Sequence, residues 1–187
     1  NLSFKELVDE DKRGIKNYTY TIKSDGHVGI AQILNPRITR KNTEVIKLTL
    51  DNKEEIICTP NHLFMLRDGN YKKAESLTKE DSVMPLYRKI SEIKNKITIK
   101  GYEMVLNNKK HSWEFTHVLA DKYNLENGAY FAKDGDVRHH KDYNKRNNNP
   151  DNLIRMLKLE HLMLHATIGR ENLYKPEVLE KLRKIRQ

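Results

Sequence analysis

Apolar and polar residues alternate with one period in the first half of the chain and another in the second. Over about the first 85 residues the apolar positions come in short runs. These are Tyr18-Thr-Tyr-Thr-Ile22, Val28-Gly-Ile-Ala-Gln-Ile33, Glu44-Val-Ile-Lys-Leu-Thr-Leu50 and Glu55-Ile-Ile-Cys58. Successive strand residues face opposite ways, so short alternating runs predict strands. Ser24-Asp25-Gly26, Asp51-Asn52 and Asp68-Gly69 punctuate them as turns, and together they predict a compact β domain of hairpins. Phe4 to Leu7 and Ala74 to Leu77 read as short one-turn elements that loosely resemble each other.

Helical spacing takes over further on. Phe115, Val118, Leu119 and Tyr123 fit one face of a helix between Trp113 and Asn124. His139 and His140 follow Val137 at the end of a short strand, and Lys141 to Asp151 forms a polar loop with Asn149-Pro150-Asp151 as a turn and helix-start signal. Leu153, Met156, Leu157, Leu162 and Leu164 suit a helix, and Pro176 opens a last amphipathic one with Val178, Leu179, Leu182 and Ile185 on one face. The Lys- and Ile-rich stretch from Arg88 to Lys100 reads as a linker or a bridging strand. The fold class is α+β.

Charge adds a partner to this picture. The 187 residues carry 35 Lys and Arg against 26 Asp and Glu, a net +9. From Arg138 onward the count is 12 against 6, so most of the positive field lies in the last part of the chain, as a phosphate backbone would require. A basic helix face also serves simply as a solvated surface. One cysteine excludes an internal disulfide framework and fits a reducing, cytoplasmic setting. No apolar run approaches a membrane span and no signal-peptide pattern opens the chain, so no membrane partner is expected.

The chemistry concentrates between residues 138 and 165, which hold four of the eight histidines. His161 and His165, four apart on a helix, share a face and can reach one ion. His139 and His140, adjacent in a strand, point to opposite sides, so one can join that ion while the other faces a substrate. A structural zinc knuckle would hold the loop and cut nothing, but such sites draw on several cysteines, and Cys58 stands alone in an apolar strand. His117 reads as a packed or solvent-facing helix residue rather than a ligand.

This block resembles the HNH nuclease motif in its ββα-metal form. The resemblance assigns His139, His161 and His165 to the metal and His140 to the general base. Asn152 becomes the asparagine that braces the loop of that histidine. Tyr102-Glu103-Met104-Val105, Trp113-Glu114-Phe115-Thr116-His117 and Asn149 to Leu153 are similar to HNH domains carried inside inteins. Upstream, Thr59-Pro60-Asn61-His62-Leu63-Phe64 resembles the second conserved block of intein and hedgehog-type (Hint) domains. There Thr59 and His62 would act on the amide of the N-terminal splice junction. The family's first nucleophile and its terminal His-Asn have no counterpart in Asn1-Leu2-Ser3 or in Ile185-Arg186-Gln187. The chain as written is therefore not expected to splice.

These readings imply a β-rich Hint-like domain over 1–88, a linker over 89–100 and an HNH domain with a C-terminal helix over 101–187. The expected activity is site-specific, metal-dependent hydrolysis of double-stranded DNA by a homing endonuclease, with a host protein (extein) in the full reading frame. The alternative is a protein-splicing element with an inert endonuclease region. One divalent ion (Mg, Mn, Zn or Ni) is expected, and three imidazoles favour a borderline metal over Mg. Arg138, Lys141, Lys145, Arg146 and Arg155 are the nearest cations for DNA phosphates.

Overall fold

The computed structural model describes residues 2–173. Its elements run α1 (Phe4–Lys12), β1 (Asn17–Ile22), β2 (Val28–Ile33), β3 (Ile46–Thr49), β4 (Glu55–Cys58), β5 (Leu63–Met65), β6 (Tyr71–Lys73), β7 (Arg88–Ile90), β8 (Glu103–Asn107), β9 (Ser112–Phe115), α2 (Thr116–Glu126), β10 (Val137–His140), β11 (Leu153–Met156) and α3 (Lys158–Leu173). Among the described residues, three α-helices and several small antiparallel sheets make a mixed α+β fold. The helix expected between Tyr174 and Arg186 lies outside the described residues.

The chain divides into two compact units, 1–17 with 33–87, and 18–32 with 88–187. This differs from the sequence-based division in where one hairpin belongs. The β1–β2 hairpin belongs with the later unit, because Tyr18, Tyr20 and Ile22 pack on the core made by Val105, Leu119, Ala120 and Leu153. The stretch read as a linker or a bridging strand contributes β7, which pairs with β8 in register Lys89 to Met104. By sequence the second unit holds 22 Lys and Arg against 14 Asp and Glu, and so carries +8 of the net +9.

In the first unit, β3 pairs with β4 and β5 with β6, each as a hairpin. Phe64 and Ala74 are its buried apolar residues among those described. Phe4 to Leu7 is not a single turn but the start of a nine-residue helix. Ser3 explains the extension: its Oγ accepts from the Glu6 amide (3.2 Å) and its own amide donates to Glu6 Oε2 (2.7 Å), a reciprocal cap that satisfies two free donors.

The second unit frames the histidines. Its core is Val28, Ile30, Val105, Leu119, Ala120 and Leu153, all buried. The sheet β7–β8–β9 carries Val105 into it, and α2 supplies Leu119 and Ala120. β9 also corrects the sequence reading, since Trp113 belongs to the strand and the helix begins at Thr116. The Tyr20 hydroxyl donates to Glu103 Oε2 (2.9 Å) and accepts from the Thr116 hydroxyl (3.2 Å), fastening the hairpin to that layer.

The helix expected from Leu153 begins later. Leu153–Met156 is β11, paired antiparallel with β10 so that His140 faces Leu153 and His139 faces Ile154. Leu153, the deepest apolar residue of β11 at 2% exposure, joins the shared core from this strand. α3 then starts at Lys158, with Glu160 Oε2 accepting the Leu157 amide at 2.9 Å.

Candidate metal centre

Asp121 of α2 sets the frame on which the site is built. Its carboxylate is 1% exposed and accepts from Arg155 Nε on β11 and from Arg138 Nε on β10, each at 2.7 Å. Arg155 Nη2 adds a second bond (2.7 Å) and the Tyr130 hydroxyl another (3.0 Å). Burial alone would raise this carboxyl, but the two guanidinium groups outweigh it and hold it at about 2. One buried anion thus fixes both strands against α2. The same network reassigns Arg155, expected as a DNA contact. It is 10% exposed, bidentate to Asp121 and further bound to the Gly135 carbonyl (3.2 Å). Sequence reasoning passed over Asp121 because nothing local marks an aspartate whose partners lie far along the chain.

From this frame β10 presents two adjacent histidines to opposite sides, as its period requires. His139 turns toward α3, where its ring centre is 5.2 Å from that of His161 and 5.4 Å from that of His165. His161 and His165, one helical turn apart, bring their Nε2 atoms to 3.1 Å. One nitrogen from each of the three rings lies within 4.8 Å of the others. Nitrogens on one tetrahedral ion at about 2.1 Å would stand about 3.4 Å apart, so the arrangement fits a single ion with little adjustment. Burial, then the neighbouring imidazoles, lowers the pKa of His139, and burial followed by His165 does the same for His161. Both rings are therefore neutral near pH 7, the form that binds a metal.

His140 faces the other way. Its Nε2 meets Asn148 Oδ1 at 3.1 Å, and its ring lies 6.0 Å from His117 and 6.3 Å from Tyr102. The asparagine oxygen can accept from Nε2, and in that tautomer Nδ1 is the ring's acceptor. Asn148 had no role in the sequence reading; the Asn-rich loop offered several equivalent candidates. His117 is packed rather than a ligand, and burial, with His140 and Arg138 nearby, pushes its pKa down to about 4.

Asn152 works through the backbone after His140. Its carbonyl accepts the Lys141 amide (2.8 Å), its Oδ1 accepts the Asp142 amide (3.1 Å), and its Nδ2 donates to Asp142 Oδ1 and to the Asn147 carbonyl (2.8 Å each). A long polar loop is thereby tied back onto the start of β11. A cleft of about 420 Å³ opens beside the histidines, edged by Arg138, Lys145, Tyr102 and Tyr143. Lys145 Nζ donates to the Lys100 carbonyl (2.9 Å) and Lys141 Nζ to that of Asp151 (2.8 Å), while Arg146 is exposed on the loop. Of the five expected phosphate contacts, Arg138 and Lys145 line the cleft.

Thr59 and His62 belong to the other unit. They flank a tight turn between β4 and β5, in which the His62 amide donates to the Thr59 carbonyl (3.0 Å). The His62 ring is exposed and lies edge-on to Phe64, 5.1 Å between centres.

No family model matches the chain. A curated relative, the DNA gyrase B protein of Synechocystis sp., is 54% identical over 188 residues, which cover all of this chain and 17% of that protein. The chain thus spans less than a fifth of the relative's length. No helix among the described residues is long and apolar enough to cross a membrane.

Proposed function

We propose that this chain is a metal-dependent DNA endonuclease of the HNH type, carried with a Hint-like unit as an intervening element of a larger host protein. The observation that carries the reading is the division of labour between neighbours in β10. His139 joins His161 and His165 as one ligand set, while His140 stands apart, oriented by Asn148. The match to a short segment of a much longer DNA gyrase B protein is compatible with an insertion in such a host.

In this mechanism His140 Nδ1 takes the proton of the attacking water, as a neutral imidazole near pH 7 does. Asn148 holds its tautomer, and Asn152 keeps the following loop closed so that the ring stays where Asp142 and Lys141 leave it. His139, His161 and His165 would hold a divalent ion, which when bound supplies Lewis-acid stabilisation of the phosphate and of the leaving oxygen. Lys145, Lys141, Arg146 and the outer face of Arg138 provide positive charge along the backbone.

The test uses as substrate a gyrase B coding sequence from which the matching segment has been deleted, since in this family the target is the uninterrupted host site. Wild type stripped with EDTA and reloaded with Mg, Mn, Ni or Zn is expected to cut it. His161→Ala is expected to lose both metal and cutting. Absence of cleavage with every metal would overturn the endonuclease reading and favour a splicing element with an inert nuclease region.

A further inference from the structure

Tyr143 occupies the left-handed region of backbone space, with φ at 60°. A side chain with a Cβ is disfavoured there and glycine is not, so a bulky aromatic at this point is held against a backbone cost. The turn that imposes the conformation is well fixed. The Tyr143 amide donates to the His140 carbonyl (2.9 Å), and the next amide, of Asn144, to Asp142 Oδ1 (2.8 Å). Burial does not account for the residue either, because it remains 48% exposed.

Its ring contacts do account for it. The Tyr143 ring centre lies 4.9 Å from that of His139 at an interplanar angle of 75°, and 5.7 Å from that of His165 at 88°. Both are edge-to-face contacts of the favourable kind. The two imidazoles come from different elements, β10 and α3, and His165 is exposed on its helix. An exposed imidazole samples several rotamers unless something packs against it, and each rotamer that turns its nitrogen away weakens a shared ion. The contacts to both imidazoles are made by the ring.

We propose that Tyr143 is a positioning residue for the metal: its ring holds His139 and His165 at the mutual angle in which both nitrogens face one ion. The proposal rests on the metal-binding reading given above. It explains why the strained position keeps an aromatic side chain.

The experiment titrates the full chain with Co(II), followed by visible absorption, and with Zn(II) by competition against a chelating dye. Wild type, Tyr143→Phe, Tyr143→Leu and Tyr143→Gly are compared, with a thermal midpoint for each. Tyr143→Phe is expected to bind within about twofold of wild type. Tyr143→Gly is expected to melt higher, because the backbone strain is relieved, and yet to bind metal about 10-fold to 100-fold more weakly, the range for loss of a ligand's supporting partner. Tyr143→Leu, which keeps the backbone cost but lacks the ring, is expected to bind as weakly as Tyr143→Gly and to share its altered Co(II) spectrum. Wild-type affinity in the Gly and Leu variants would overturn the proposal, and so would a Phe variant as weak as Gly. Wild type that takes up no metal at all would instead overturn the metal reading beneath it.

Discussion

His139 and His140 are covalent neighbours whose rings serve opposite faces of one strand. The first stands 5.2 Å from His161 and the second 6.0 Å from His117, centre to centre. The pleat separates the proposed ligand from the proposed base without any intervening residue, and it makes their substitutions separable. His140→Ala is expected to keep the metal content of wild type while cleavage falls roughly 10²-fold to 10⁴-fold, the usual contribution of a positioned acid or base. Metal analysis and cleavage rates on the same preparation check this. Unchanged cutting would remove His140 from the role.

Asp121 is expected to be the most sensitive polar residue of the second unit. Asp121→Ala leaves Arg155 and Arg138 facing each other with no anion between them, and breaking such a buried pair costs about 3–5 kcal/mol. The folded-state pKa of about 2 lies below the ordinary carboxyl value. The stabilisation is therefore complete above about pH 4 and is lost as pH falls toward 2. Urea midpoints across pH 2 to 7 should show this acid limb in wild type and lack it in the variant.

His117 produces a second acid limb at higher pH. Its pKa is lowered to about 4, below the ordinary histidine value of 6.5. The unfolded chain thus binds the extra proton first. This contribution is complete above about pH 6.5 and is lost as pH falls from there toward 4. In His117→Phe, which keeps an aromatic ring beside Tyr102 and Phe115, the stability profile is expected to flatten over that interval. A profile identical to wild type would show that another group titrates there.

Gly135 lies where the chain turns into β10, with φ at 142°, and a Cβ there would overlap the Met156 carbonyl. Gly135→Ala must either shift β11 or unpair its end. A loss of about 1–3 kcal/mol is expected from the strained conformation alone. Because β10 carries His139 and pairs with β11, metal affinity should fall with stability if the three histidines hold the proposed ion. Chemical denaturation and metal titration of the same variant measure both.

Local sequence determined the elements wherever a few neighbouring residues decide them. The strands around Tyr18, Val28, Ile46 and Glu55 follow from alternation, and the shared face of His161 and His165 follows from the helical repeat. The opposite aim of His139 and His140 is a property of any strand. Tertiary structure decided what depends on distant partners. Leu153 to Met156 has apolar spacing compatible with a helix, and β10 made it a strand. Arg155 looks like a cation free for DNA until Asp121, thirty-four residues away, claims it. The β1–β2 hairpin joined the later unit because its tyrosines found their core there. Tyr143 reads as an ordinary loop residue until its ring is seen between two histidines from separate elements. Periodicity is written in adjacent residues, whereas pairing of charges, burial and ring contact depend on which segments meet, and that is fixed only when the chain closes its core.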